Sequence, residues 1–319
     1  MKLLVTGGAG YVGSVVAALL LDAGHTVTVL DDLSTGHRDA VPPGASLAEA
    51  DLTEAGDVLD PSYDAVLHFA AKSLVSESTR DPRPYWRTNV SGTLALLDAV
   101  RRHGTGRVVL SSTAAVYGEP DTVPVPETAP ALATNPYGDS KLAADRMLES
   151  WSAAYGIGAV SLRYFNVAGA RGRYGERHDP ETHLVPNLLR VASGREEHAR
   201  IHGTDYPTRD GSAVRDYLHV SDLADAHLRA LDRAQPGTFR VYNLGTGSGC
   251  TVREVLDAVR RVTGHPVPAV AGPRRPGDPA VLVASNERAR HELGWEPRST
   301  IGDIVADAWA FARERGGAR

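Results

Sequence analysis

Tyr137 and Lys141 stand four residues apart in the stretch "NPYGDSKLAAD", Asn135 to Asp145. The chain has three lysines, Lys2, Lys72 and Lys141, among 34 Lys plus Arg, so a lysine at this point is not a generic surface cation. Pro136 suits the first position of a helix, and a helix carries residues i and i+4 on one face. A phenol of pKa about 10 is a poor base at neutral pH. A neighbouring ammonium and a positively charged nicotinamide ring both favour phenolate and lower that value. The phenolate can then take a proton from a carbinol while the same carbon gives up a hydride. Upstream, "LSSTAAVYG" ends an expected strand in three hydroxyls, Ser111, Ser112 and Thr113. In this arrangement Thr113 holds the carbinol, Tyr137 is the base, and Lys141 both tunes the phenol and grips the nicotinamide ribose.

Such chemistry needs a dinucleotide, and the N-terminus offers a place for one. "TGGAGYVG" sets Gly7, Gly10 and Gly13 in a G-x-x-G-x-x-G array after a short apolar run and before a helical one. Glycines there permit a tight turn and let backbone N–H groups approach a pyrophosphate at a helix N-terminus. The next strand-like run, "TVTVLD", ends at Asp31, 18 residues after Gly13. A carboxylate at that place hydrogen-bonds a ribose 2′-hydroxyl and repels a 2′-phosphate, which favours NAD over NADP. "EADLTE" around Asp51 and "HFAAKS" at 68–73 are expected to supply the adenine wall and the next sheet edge.

The elements that must carry these residues are legible as an alternation. Strand-like runs at 3–6, 26–31, 64–70, 106–112 and 158–166 are separated by helical segments, one ending at Gly24 and others around 89–103 and 138–155. This order predicts an α/β fold with a doubly wound parallel (Rossmann) sheet. Five prolines between Glu119 and Pro136 predict a loop. Beyond about residue 170 the pattern becomes polar and irregular and closes on an amphipathic helix. A smaller mixed α/β substrate domain is therefore expected over 169–319 after a first domain over 1–168. A strand and helix return to the first domain from about 213–247, because "RVYNLGTG" again reads as a sheet strand.

Composition excludes several alternatives. The formal net charge of -5 over 319 residues gives no electrostatic case for nucleic acid or an anionic membrane. No apolar run approaches the roughly 20 residues of a membrane span, and the N-terminus does not read as a signal peptide. The single cysteine, Cys250, suits a reducing cytoplasm and reads as a small packed side chain. His198 and His202 have the i,i+4 spacing of some zinc sites, but no third ligand is evident in sequence, so no metal is expected.

Several segments, in order, resemble the signatures of a known family: "HFAAKSLVSES", "NVSGTLALLDA", "SSTAAVYG", "NPYGDSK", "RYFNVAGA", "DYPTRDGSAVRDYLHVSDLADAH", "YNLGTG" and "RRPGDPA". The chain resembles the extended short-chain dehydrogenase/reductases, most closely the UDP-glucose 4-epimerases, from the glycine array to about Trp295. The resemblance implies a resident NAD contacted by Tyr11 and Val12 beside the glycines. It adds Asp32, Ser34, Thr35 and Gly36 beside Asp31, and Leu52 beside Asp51. It also implies Phe69, Ala70, Ala71, Asn89, Ser111 and Tyr164. For a UDP-sugar it implies Asn166 at the phosphates, with His183 and Leu184 lining the same pocket and Arg200, Ile201 and His202 flanking the uracil. Arg215 and Arg275 would serve as cations for the pyrophosphate, Asp278 would meet the uridine ribose, and Leu282 would face the sugar's C2 substituent. His202 stands where many members have Phe, and Ser73 rather than Lys72 matches a family cofactor lysine, which leaves that contact open.

Related dehydratases carry an acidic pair directly after the strand-end threonine, for eliminating water. Here those positions are Ala114 and Ala115, which neither donate nor accept a proton. The resemblance therefore implies C4 epimerisation of a UDP-hexose (glucose/galactose) through a 4-keto sugar. Leu282, smaller than the Tyr of strict members, implies tolerance of N-acetylated sugars. Epimerases acting on a pentose or uronic acid are the alternatives, and a non-catalytic NAD-binding regulator is opposed by the intact Thr113, Tyr137 and Lys141. A homodimer joined through the helices around 89–103 and 138–155 is implied by the same resemblance.

Overall fold

The computed structural model describes residues 1–275 and 277–316. Strands β1 (Lys2–Thr6), β2 (Thr26–Asp31), β3 (Ser46–Glu49), β4 (Ala65–His68), β5 (Arg107–Thr113) and β6 (Gly158–Tyr164) form one sheet with a seventh strand, Phe239–Leu244. Its order is Phe239–Leu244, β6, β5, β4, β1, β2, β3, and every pairing is parallel. A parallel sheet is covered on both faces, so its strands are apolar on both sides. In β1, Leu3 and Val5 point into one core and Leu4 into the other, as the two-residue strand period requires.

The first core is closed by the helices Tyr11–Asp22 and Val220–Arg233, the second by Thr93–His103 and Pro136–Tyr155. The helical run before Thr93 begins at Arg83 and passes through a π-helical segment, Trp86–Gly92. Residues 118–135 form no helix or strand, apart from an isolated bridge between Val125 and Ala284. The short strand Ser46–Glu49 at the sheet edge has no counterpart in the sequence reading; its SLAE run is at most half-buried.

Later chain segments build over the carboxyl ends of β5 and β6. Asn166–Ala168 pairs with Tyr217–His219, and Ala199–His202 with Ala269–Gly272. Val214–Arg215 lies between Cys250–Thr251 and Val281–Leu282. A third core joins the helices Leu184–Ala192, Val252–Thr263 and Ile301–Gly316.

One buried polar chain pins the helix Pro136–Tyr155 to the sheet. Asp145 accepts from Ser161 Oγ at 2.6 Å and Arg163 Nε at 2.8 Å on β6. Arg163 donates to Tyr117 Oη at 3.0 Å, and Tyr117 donates to Asn243 Oδ1 on the outer strand at 2.7 Å. Every member is buried, so each polar group needs the next.

Candidate active site

The turn after β1 is shaped for close approach. Gly7 has φ +71°, and a Cβ there would stand 2.5 Å from Ala70 N; one on Gly13 would stand 2.2 Å from Gly7 O. Only glycine fits either place. Gly10 caps the helix Tyr11–Asp22 without a side chain, and no acidic residue sits in its first turn, so its free N–H groups face a cavity suited to an anion. At the end of β2, Asp31 is 8% exposed and accepts from Ala9 N and Leu33 N, both at 2.9 Å. Burial pushes its carboxyl up while those two N–H groups pull it back. A dinucleotide fits this cradle, since turn, helix start and carboxylate stand in the order its pyrophosphate and ribose require.

The cavity above the turn has a volume of about 460 Å³. Its wall includes Gly7, Gly10, Tyr11, Val12 and Gly13, then Asp31, Asp32, Ser34, Thr35 and Gly36, then Asp51 and Leu52, then Phe69, Ala70 and Ala71. At its far end it is lined by Ser111, Thr113, Tyr137, Lys141, Tyr164, Asn166 and His183. The residues singled out for chemistry and, apart from Asn89, those singled out for cofactor therefore share one space. Lys72 and Ser73 both reach the same wall.

Asn89 is tied to the cavity wall through the Lys72 backbone. It is buried behind the wall, where its amide donates to Lys72 O at 3.0 Å and to Ser140 Oγ at 2.9 Å, and its Oδ1 accepts from Lys72 N at 2.8 Å. It ties the loop after β4 to the helix that carries Tyr137.

That helix starts as the sequence suggests. Asn135 Oδ1 accepts from Gly138 N at 2.9 Å and Pro136 occupies the first turn. Tyr137 thus stands at the helix entrance, with Tyr85 packing its ring edge-on at 6.3 Å. Ser111 and Tyr164 share a hydroxyl hydrogen bond of 2.5 Å at the ends of β5 and β6. Thr113 Oγ1 accepts from Ala115 N at 3.1 Å, and Ala114 and Ala115 form the turn beyond it.

The electrostatics depart from the sequence expectation in one respect. Within the chain's own field, burial and the Tyr164 hydroxyl push the Tyr137 phenol well above its ordinary value, and only the Thr113 hydroxyl pulls it down. Burial also lowers the Lys141 ammonium to about 8, against the pull of the Asp145 carboxylate. Desolvation here outweighs the expected effect of lysine on the phenol. His68, bonded to Thr6 Oγ1 at 2.7 Å and Thr93 Oγ1 at 2.9 Å, is held neutral, at about 3, by burial and then by Lys141.

The expected uridine contacts fall into two groups. Asn166 and His183 line the cavity. Leu184 begins the helix that follows His183. Arg215 is buried, donates to Pro279 O at 2.7 Å, and is paired with Asp278 at 2.5 Å, so these charges satisfy each other in the free chain. Strand pairing sets Arg215 beside Leu282, which packs against a cluster holding Ala114, Tyr117 and Phe165. Arg200, Ile201 and His202 lie on one short strand. The Ile201 side chain is buried in the third core. Burial and then the Arg275 guanidinium hold the His202 imidazole below its ordinary value.

Sequence reasoning missed Glu176 and His178, which line the same cavity as His183. The signal was present as the spacing E-x-H-x-x-x-x-H in "ERHDPETH". Among the described residues, the donor atoms that gather at metal-ligand spacing belong to Glu176, His178 and His183, not to the His198–His202 pair on which the expectation of no metal rested.

Comparison with known proteins points in one direction. The family model described as "NAD dependent epimerase/dehydratase family" matches residues 3–245. The UDP-glucose 4-epimerase of Corynebacterium glutamicum is 53% identical over 99% of this chain and 97% of its own length. That of Streptomyces lividans is 55% identical over 97% of this chain and 95% of its own. The crystal structure of the Brucella ovis UDP-glucose 4-epimerase in complex with NAD is similar at TM-score 0.93 and 42% identity, covering 97% of each chain. The UDP-Glc/GlcNAc 4-epimerase of Campylobacter jejuni is similar at TM-score 0.86 and 36% identity, covering 98% of this chain and 99% of that one.

Proposed function

This chain belongs to the NAD dependent epimerase/dehydratase family, and we propose that within it the chain inverts C4 of a UDP-hexose, interconverting UDP-glucose and UDP-galactose. The observation that carries this reading is that Thr113, Tyr137 and Lys141 line one cavity with the glycine turn, while the two positions directly after Thr113, Ala114 and Ala115, carry no acid. Hydride-transfer groups are present there without an acidic pair for eliminating water.

Bound NAD supplies the hydride acceptor and donor, and in its oxidised form a positive ring charge. The chain's own groups do the rest. The backbone N–H groups at Gly10 and beyond hold the pyrophosphate, and Asp31 takes the adenosine ribose. Tyr137 removes the C4 hydroxyl proton as the 4-keto sugar forms and returns a proton when C4 is reduced on its other face. Thr113 orients that hydroxyl. Lys141, one helical turn from Tyr137, favours the phenolate only in concert with the ring charge of oxidised NAD, since burial outweighs it in the free chain. Asn166, His183, Arg215, Arg275 and Asp278 grip the nucleotide, so that the hexose alone is free to rotate. The pairing of Arg215 with Asp278 means that this grip opens or shares an existing ion pair.

The reading is tested by following UDP-galactose conversion to UDP-glucose by chromatography, with nucleotides released from denatured protein identified by mass spectrometry. Conversion without added NAD, with NAD in the released fraction, is the expected result; no conversion with NAD fully loaded removes the reading. Leu282 supports turnover of UDP-N-acetylglucosamine as well, as the name of the Campylobacter relative describes for that protein. Turnover of UDP-glucose alone would reject that extension.

The resemblance also supports a homodimer. Trp86, Leu94 and Tyr155 are 44%, 40% and 52% exposed on the two helical runs expected to meet a second copy. A cytoplasmic site is supported by the lone cysteine. No helix among the described residues is long and apolar enough to cross a membrane.

A further inference from the structure

We propose that Glu176, His178 and His183 bind one divalent transition-metal ion, with zinc(II) the ion this donor set favours. The segment carrying them runs from the strand Tyr174–Gly175 to the helix Leu184–Ala192 and separates two cavities. All three residues line both the nucleotide pocket and a neighbouring cavity of about 1000 Å³.

One ligand atom from each residue lies within 4.8 Å of the other two. Zinc–ligand bonds of about 2.0–2.2 Å separate tetrahedral donors by roughly 3.5 Å, so small side-chain rotations close the set. Two imidazoles and a carboxylate are a borderline-soft N,N,O set, suited to zinc and poorly suited to magnesium or calcium. Glu176 is paired with His178 Nδ1, and its second oxygen lies 3.7 Å from His183 Nδ1.

The surroundings are built for such a site. Glu181, with a side chain 7% exposed, accepts from His183 Nδ1 at 2.8 Å, the carboxylate–histidine contact that orients metal ligands and that leaves Nε2 of this imidazole to meet the ion. Glu176 Oε1 accepts from the backbone N–H groups of Arg177 and His178 at 2.7 and 2.8 Å, which fixes the carboxylate. Arg177, the guanidinium within this segment, is turned away to Asp39 at 2.7 Å. Two largely buried carboxylates therefore face two imidazoles with no arginine from their own segment to balance them. A bound ion would brace the partition beside Tyr11 without entering the proton path through Tyr137; His183 is shared with the nucleotide grip, but zinc binding is read without turnover, so its failure and that of the epimerase reading are distinguishable.

The test uses the full-length, NAD-loaded protein, dialysed against chelator and then against chelator-free buffer. Zinc is added and measured by calorimetry and elemental analysis, and cobalt(II) substitution is read by its visible absorption. One equivalent of zinc per chain, held more tightly than about 10 µM, and a cobalt spectrum of N/O coordination are expected. Glu176→Gln and His178→Ala should each weaken zinc binding tenfold or more, whereas His198→Ala should leave it unchanged. Zinc should also raise the melting temperature of the parent protein and not that of Glu176→Gln. Binding below a tenth of an equivalent overturns the proposal and leaves a set of plain histidine–carboxylate pairs. Unchanged affinity in both site variants overturns it equally, and the cobalt spectrum of the parent needs no variant to fold.

Discussion

Tyr137 and Lys141 face opposite costs of burial, and this decides how each is tested. Tyr137→Phe removes one oxygen that the proton transfer needs, so turnover should fall by about 10² to 10⁴, while NAD still co-purifies in full. Retained turnover would reject the assignment. Lys141 is 4% exposed, with its ammonium lowered to about 8 from 10.5. Between those values the unfolded chain binds more protons than the folded one, so nucleotide-free protein should gain stability as pH rises from about 8 to 10.5. Below about 8 the full penalty, about 3 kcal/mol, is present. Lys141→Met should accordingly raise the stability of the nucleotide-free protein at pH 7 in urea titration and flatten its rise above pH 8, while turnover falls. At this scale the sequence was most informative where rarity and spacing coincide: a scarce lysine four residues after a tyrosine, and three glycines after a strand. Glu176 and His178 were passed over because their segment has no periodicity to set it on a strand or helix. That Ile201 turns into a core and Asn89 behind the cavity wall was not legible, because motif position says nothing of which way a side chain turns.

The helix Pro136–Tyr155 is held at its entrance by a cap and at its middle by a buried charge. Asn135→Ala removes the acceptor for Gly138 N and should cost about 1 kcal/mol, read as a lower urea midpoint. Because the first turn carries Tyr137, turnover should drop more than that loss explains, and Asn135→Asp should restore both. Asp145→Ala strands Arg163 in the core and should cost about 3–5 kcal/mol. Replacing both, with Asp145→Leu and Arg163→Met, should recover most of it; no recovery would mean that the ion pair is not the source of the loss. The long elements were legible because each combines a strong period with a recognisable boundary, a stop at Gly24 or a start at Pro136. The edge strand Ser46–Glu49 was not, since a four-residue run with one large apolar side chain has no pattern to read, and only β2 beside it makes it a strand.

For the whole molecule, exposed apolar side chains on two neighbouring helices predict self-association. Leu94→Arg should shift sedimentation from dimer to monomer while NAD remains bound; an unchanged sedimentation coefficient would place the contact elsewhere or remove it. The alternation of strands and helices made the sheet legible, and the returning strand at 239–244 and the closing helix with it, whereas the other strands of the second half, two to four residues long, were legible only as irregular chain. The seventh strand, Phe239–Leu244, lies against β6 although 74 residues separate Tyr164 from Phe239. During synthesis the growing polypeptide must therefore wait, for roughly ten seconds at ribosomal speed, with the flank of β6 bare. Nascent chains arrested near residue 200 should be cut readily by protease and bound by chaperones, and both liabilities should vanish once translation has passed the residue that completes the sheet.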